Sequence, residues 1–427
     1  MLLKRLGPSL LYVAFAALIV FSAAALQEKE ILQVGFVGAV LSAWLGMMLV
    51  FGHSMRNSLL FASLLFIKPL PTGFYCMLGI LFASLLMEWQ KEGIKSLKIP
   101  YPIALTILLA TSTYGIIRSN GNPYAHLYFQ STAVVPALLL MIAANSRFSR
   151  DDFLNWVKAL AIIGTFLAVI GVIMALMNPE ERYGSLWITA MTINGFYVLA
   201  FFFAIALGIR EGRNFKGYLW FFCAIIVLMG MLYTYTRISL VAVFAGIFLL
   251  MLRMKRMRLW GMGILLLVPL AIPSSMASRI ETGFGFDYSI FIRFVAWYYS
   301  LREIWRHPWF GIGIDVWKDW YAGVAPMKIL YAEHSHNLFL KIWVELGTFG
   351  FLSYFYVIAA VLRRYWLKVV KHEQGQFHFA LFVGMVALLI ACLTDVFIQQ
   401  YPVGFAFWIA IAFMYLQSKL PLPEEQK

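Results

Sequence analysis

The sequence predicts an all-α fold, a polytopic transmembrane helical bundle of about 12–14 spans with one long, partly helical loop on the outer side. Three observations predict it. First, of 427 residues 62% are hydrophobic and only 13% charged, with a mean hydropathy of +0.80, which is too little polar surface to cover a soluble core of this size. Second, apolar runs able to cross a hydrocarbon core recur from end to end. Third, the charges that interrupt those runs alternate in abundance from one connection to the next.

The candidate spans fall at about 8–26, 31–51, 56–69, 73–89, 100–118, 128–145, 153–177, 185–209, 216–235, 237–253, 258–273, 338–362, 379–397 and 401–417. The first follows Lys4 and Arg5. It is read as a retained helix rather than a signal peptide, because it is long and another span follows at once. The third and fourth are joined by Lys68-Pro69-Leu70-Pro71-Thr72-Gly73 and read either as two tilted helices or as a broken, re-entrant pair. With the N-terminus inside, the inner connections hold 21 basic residues and the short outer ones five: Lys29, Lys68, Arg118, Arg182 and Arg237. This positive-inside asymmetry orients every span. It also accounts for the net charge of +14 without nucleic acid, since the basic residues face anionic headgroups.

The organisation that follows is residues 1–273 as transmembrane helices with a cytoplasmic N-terminus, 274–337 as the long outer loop, and 338–427 as further spans and a cytoplasmic tail. The loop carries an amphipathic stretch from Tyr288 to Trp297 that reads as helix, and aromatics such as Trp297, Trp305, Trp309 and Trp317 that suit the membrane interface. A connection this long among short ones is usually functional. Cys76, Cys223 and Cys392 each lie in an apolar run and form no CxxC, so inert buried thiols are the reading.

The chemistry concentrates at the outer side. His334-Ser335-His336-Asn337 sits where the long loop re-enters the membrane. A neutral imidazole there can take a proton from a hydroxyl, and an amide can fix a tautomer or hold a sugar hydroxyl. Zinc lacks a third ligand in the adjacent sequence, where Glu333 is the only carboxylate. Arg182, Arg237 and Arg293 stand on a face otherwise poor in cations. A guanidinium binds phosphate with a planar fork of donors, so arginines brought together would make a diphosphate clamp. The bland alternatives are pairing with Glu180, Glu181 or Asp287, or snorkelling to headgroups. Asn194, inside the span after Arg182, reads as a substrate contact or as a helix-joining amide. Asp395, near the outer end of its span, is open to the same two readings. Gly311-Ile312-Gly313 is not a dinucleotide fingerprint and reads as a turn.

Three groups of residues together resemble the O-antigen ligase/polymerase superfamily of membrane glycosyltransferases. They are Thr236-Arg237-Ile238-Ser239; Arg293 and Trp297 with His307-Pro308-Trp309-Phe310-Gly311-Ile312-Gly313; and His334-Ser335-His336-Asn337-Leu338 leading into Glu345-Leu346-Gly347-Thr348-Phe349-Gly350. The resemblance is densest from about Tyr233 to Gly350. It implies a GT-C-like bundle in the bacterial inner membrane with its site facing the periplasm, and an undecaprenyl-diphosphate-linked glycan as donor. For the ligase branch it implies lipid A–core oligosaccharide as acceptor, with lipopolysaccharide as product. It also implies no metal, no cofactor and no nucleotide-sugar. Carried over by residue, His336 would be the base and Arg237 and Arg293, with Arg182 beside them, would bind the diphosphate. His334, Asn337 and Asn194 would support them. An O-antigen polymerase or a protein O-oligosaccharyltransferase would share the chemistry with another acceptor. A transporter or flippase is the alternative of a different class, and it predicts charges nearer the bilayer midplane.

Overall fold

The computed structural model describes residues 31–51, 54–64, 71–92, 98–119, 121–122, 124–146, 148–177, 184, 189–267, 288–325, 332–371 and 375–419. Among them the regular structure is entirely helical. The first span expected from the sequence and Arg182 lie outside the described residues.

The helices, in order, are α1 (Ile31–Phe51), α2 (Met55–Leu64), α3 (Pro71–Glu92), α4 (Pro102–Arg118), α5 (Ala125–Asn145) and α6 (Arg150–Met177). They continue as α7 (Ala190–Glu211), α8 (Phe215–Tyr233), α9 (Arg237–Arg253) and α10 (Lys255–Leu267). The long connection then holds α11 (Tyr288–Arg306) and α12 (Val316–Val324), followed by α13 (Leu338–Tyr365), α14 (Gln376–Ala391) and α15 (Val403–Gln417). Six of these are long and apolar enough to cross a membrane: α3, α5, α6, α7, α8 and α13 with its extension to Val370. Shorter apolar helices stand beside them, including α4, α14 and α15. Among the described residues each expected run from residue 31 onward holds a helix, the run at 56–69 over Met55–Leu64, that at 258–273 within Lys255–Leu267 and that at 379–397 as far as Ala391.

The bundle is built around α7, which is buried along nearly its whole length and packs against α6, α8, α9, α14 and α15. In a membrane a helix with no lipid-facing side needs small residues where neighbours come close. Gly195 is such a place, since a Cβ there would meet Phe397 Cβ at 2.9 Å and Val403 Cγ1 at 2.8 Å. The beginning of α7 is therefore pressed against the α14–α15 connection.

α13 is broken at Gly347, whose φ of 68° is left-handed. The break exposes backbone groups that a continuous helix would have paired internally. The Pro308–Gly313 segment supplies the missing partners. Ile312 N–H donates to Val344 O at 2.9 Å and Gly313 N–H to Glu345 O at 3.1 Å, while Thr348 N–H donates to Pro308 O at 2.7 Å. A side chain at Gly347 would strike the Trp309 backbone. The two glycine-bearing motifs of the sequence are thus the two halves of one clip. With Ala296, Ile304, Trp317, Tyr321 and Val344 packed together beside it, the clip fixes α11 and α12 to the first part of α13.

Candidate active site

The loop entering α13 is held by Asn337. Its Oδ1 accepts from Leu340 N–H at 3.1 Å, capping the helix, and its Nδ2 donates to Leu393 O at 2.8 Å. Leu338 N–H donates to Cys392 O at 2.9 Å. These bonds lash the start of α13 to the end of α14. Immediately before the cap, His336 adopts a left-handed backbone with φ 47°, and its N–H donates to His334 Nδ1 at 3.1 Å. His334 therefore carries its proton, when neutral, on Nε2. The two rings stand edge to face with centroids 4.3 Å apart.

Asp395 comes to the same place from the α14–α15 connection. Ligating atoms of His334, His336 and Asp395 all lie within 4.8 Å of one another. One Asp395 oxygen, Oδ1, accepts from Val396 N–H at 2.8 Å. His336 Nδ1 is buried and has no hydrogen-bond partner among the described residues. Burial above all, and then the charge of Arg293, pushes His336 down to about 4. Burial likewise holds His334 well below the usual imidazole range, with His336, Lys341 and Arg293 adding to it. Both rings are neutral near pH 7, and α11 carries Arg293 close enough for its charge to bear on both.

Sequence adjacency lacked a third metal ligand, and Asp395 supplies one. His334, His336 and Asp395 could together hold a divalent ion. The positive field of Arg293 and Lys341, which disfavours a proton on these rings, disfavours a cation between them for the same reason.

Arg237 is the first residue of α9, after a tight turn in which Tyr235 has φ 54°. That turn is fastened by Asn194. Its Nδ2 donates to Thr234 Oγ1 at 2.6 Å and to Thr236 Oγ1 at 3.0 Å. The Thr236 hydroxyl is thereby turned toward Asn194 and does not cap α9. Asn194 thus takes the helix-joining part of the two readings open to it. Because Gly195 follows it and packs on Phe397, the Arg237 turn and the Asp395 connection meet on the same end of α7. The structure brings His334, His336 and Asp395 into one cluster under the charge of Arg293. It relates Arg237 to that cluster through α7.

Two features went unnoticed in the sequence. One is Asp395 as a member of the histidine cluster. The other is a buried ion pair just inside α13, with Lys341 Nζ 2.6 Å from Glu345 Oε1. Glu345 Oε1 also accepts from Asp315 N–H at 3.2 Å, and Asp315 Oδ2 accepts from Asn122 Nδ2 at 3.0 Å. Lys341 Nζ rests 4.5 Å above the Tyr128 ring. Burial raises the Asp315 carboxyl, against the pull of Lys341 and Asn122. The i, i+4 spacing of Lys341 and Glu345 in an apolar helix was the available signal.

These features define an all-α polytopic membrane protein whose titratable cluster is gathered at one end of its helices, under the charge of Arg293. Residues 222–355 match the model of the family described as O-antigen ligase, so this part of the chain is similar to that family. The matched stretch contains Arg237, Arg293, His334, His336, Asn337 and both halves of the clip; Asn194 and Asp395 lie outside it. No curated protein matches the chain.

Proposed function

We propose that the protein transfers an O-antigen glycan from undecaprenyl diphosphate to a hydroxyl of lipid A–core oligosaccharide, at the periplasmic face of the inner membrane. The observation that carries this reading is His336: a neutral, buried imidazole whose Nδ1 has no hydrogen-bond partner among the described residues, set beside a second histidine and a carboxylate and under the charge of Arg293. The loop of residues 274–337 is then periplasmic, and the lipid tail of the donor lies among the helices.

In the reaction His336 takes the proton of the acceptor hydroxyl as that oxygen attacks the anomeric carbon. The bond from the anomeric carbon to the diphosphate oxygen breaks, and its electron pair leaves with the lipid diphosphate. Direct displacement inverts the anomeric centre. Arg293 and Arg237, with Arg182 completing the set, stabilise the departing diphosphate as charge develops on it. His334 and Asn337 hold His336 in place, and Asn194 holds the turn of Arg237. Donor binding also strengthens the base: a diphosphate on Arg293 cancels part of the positive field that depresses His336. The histidine becomes a competent base when the leaving group is in place.

The test is transfer by the purified protein, reconstituted with a labelled undecaprenyl-diphosphate glycan. Label on lipid A–core, lost in His336→Ala, is the expected result. Label on a second glycan lipid or on peptide makes the enzyme a polymerase or a protein oligosaccharyltransferase. Movement of the donor across the bilayer with no new glycosidic bond overturns the enzymatic reading.

A further inference from the structure

The residues of α11 that face away from the protein form a stripe at three- and four-residue spacing: Phe294, Tyr298, Leu301 and Trp305, which are 58%, 63%, 52% and 88% exposed. That spacing is one face of a helix. The opposite face, with Ala296, Ser300, Glu303 and Ile304, is buried. Helical geometry of about 100° per residue places Arg302 and Arg306 along one edge of the stripe, and Arg293 on the protein-facing side between Ser300 and Ile304. Arg306 is paired with Glu303 at 2.9 Å, and Arg302 rests 4.6 Å over the Tyr299 ring, so neither crosses the stripe.

What covers this face is indicated by what it joins. At the end of α11 the exposed apolar surface continues through Trp309, stacked on Phe349 at 5.5 Å, and Phe310, 5.5 Å from Tyr114. From Phe349 it runs down α13 as Leu352 and Tyr356, both exposed, on a helix long and apolar enough to span a membrane. A surface continuous with the lipid-facing side of a span, apolar along its centre and cationic along one edge, fits the boundary between acyl chains and anionic headgroups. A large apolar stripe left to water would be far costlier.

We propose that α11 lies in the outer leaflet of the protein's own membrane, with Phe294, Tyr298, Leu301 and Trp305 among the acyl chains and Arg302 and Arg306 level with the lipid phosphates. The consequence for the site rests on the transferase reading. The leaflet then fixes the depth of α11, and with it Arg293 on the helix's protein-facing side, so the bilayer itself sets the height of the donor against His336. The leaflet thus acts as one wall of the active site.

The test uses the full chain in lipid nanodiscs with an environment-sensitive fluorophore on a cysteine introduced at Tyr298, at Trp305 or, as an aqueous reference, at the exposed Asp319 of α12. Labels at 298 and 305 are expected to emit to the blue of the label at 319. They should be quenched by phospholipid bearing a nitroxide near the top of its acyl chain and spared by aqueous iodide. Iodide quenching at 298 and 305 equal to that at 319 overturns the proposal. Protection from both quenchers, as a protein partner on this face would give, overturns it as well. The measurement needs no turnover, so its failure is separate from a failure of the transferase reading, which the acceptor assay decides.

Discussion

Two groups of titratable side chains lie within about two turns of each other at the start of α13, and they are built on opposite principles. Lys341 and Glu345 are almost fully buried, in contact at 2.6 Å, and tied further to Asp315 and Tyr128. His334, His336 and Asp395 are gathered within 4.8 Å of one another, and Nδ1 of His336 has no partner among the described residues. A satisfied buried pair makes a framework, because either member is costly without the other. A neutral base left with an open nitrogen makes chemistry available, because a substrate can complete it. Proximity of charges alone would not have told the two apart; the completeness of their hydrogen bonding does.

The comparison breaks first at His336. His336→Ala should lower transfer by about 10²–10⁴-fold, the usual contribution of a positioned base, with insertion and unfolding temperature unchanged. A variant that loses its fold together with its activity would put the histidine with the framework.

The opposite behaviour is expected of the ion pair. Lys341→Met leaves Glu345 buried without its partner and should cost about 3–5 kcal/mol of stability in detergent-solubilised protein. Removing both charges in Lys341→Met/Glu345→Leu should recover most of that loss, as read by thermal unfolding. If the double variant unfolds as easily as the single one, the pair is more than framework.

A pH profile sharpens the contrast. The base must be unprotonated, so kcat/KM should hold from neutral pH downward and fall through a limb near pH 4, where His336 titrates in the free enzyme. The limb of kcat should lie at higher pH, because bound diphosphate offsets the charge of Arg293. Arg293→Gln should move the kcat/KM limb upward, since it removes a positive charge that opposes protonation. Coincident limbs in kcat and kcat/KM would remove the link between donor and base.

The smallest effect is expected at Asn337. Loss of a helix cap costs about 1 kcal/mol, and Asn337→Ala also cuts the bond to Leu393. A modest fall in unfolding temperature with a larger fall in kcat would mark it as the residue that sets the register of His336. Equal small changes in both would make it a cap alone.

Much of this architecture was legible in the sequence because a membrane imposes its rules locally. Long apolar runs must be helices, and each run from residue 31 onward holds one among the described residues. The amphipathic period at Tyr288–Trp297 announced α11 for the same reason. What was hidden depends on segments distant in sequence. Asp395 was noticed as an acid in an apolar run, but nothing in the sequence pairs it with His336. Gly311-Ile312-Gly313 was seen as a turn, yet its purpose appears only when it is laid against Gly347. Lys341 and Glu345 are the instructive omission: their spacing was local and readable, and it passed unremarked beside the more suggestive histidines.

The clip at Gly347 has a mechanical consequence. Backbone bonds join the Pro308–Gly313 segment to α13 on both sides of its break, so α11, which bears Arg293, and the helix that follows directly on His336 are riveted into one part. Such an assembly cannot open like a jaw between its cation and its base. On the transferase proposed above, two bulky lipid-borne reactants would then have to enter from the flank, by sideways diffusion in the plane of the bilayer, and the spent carrier would leave along the same route.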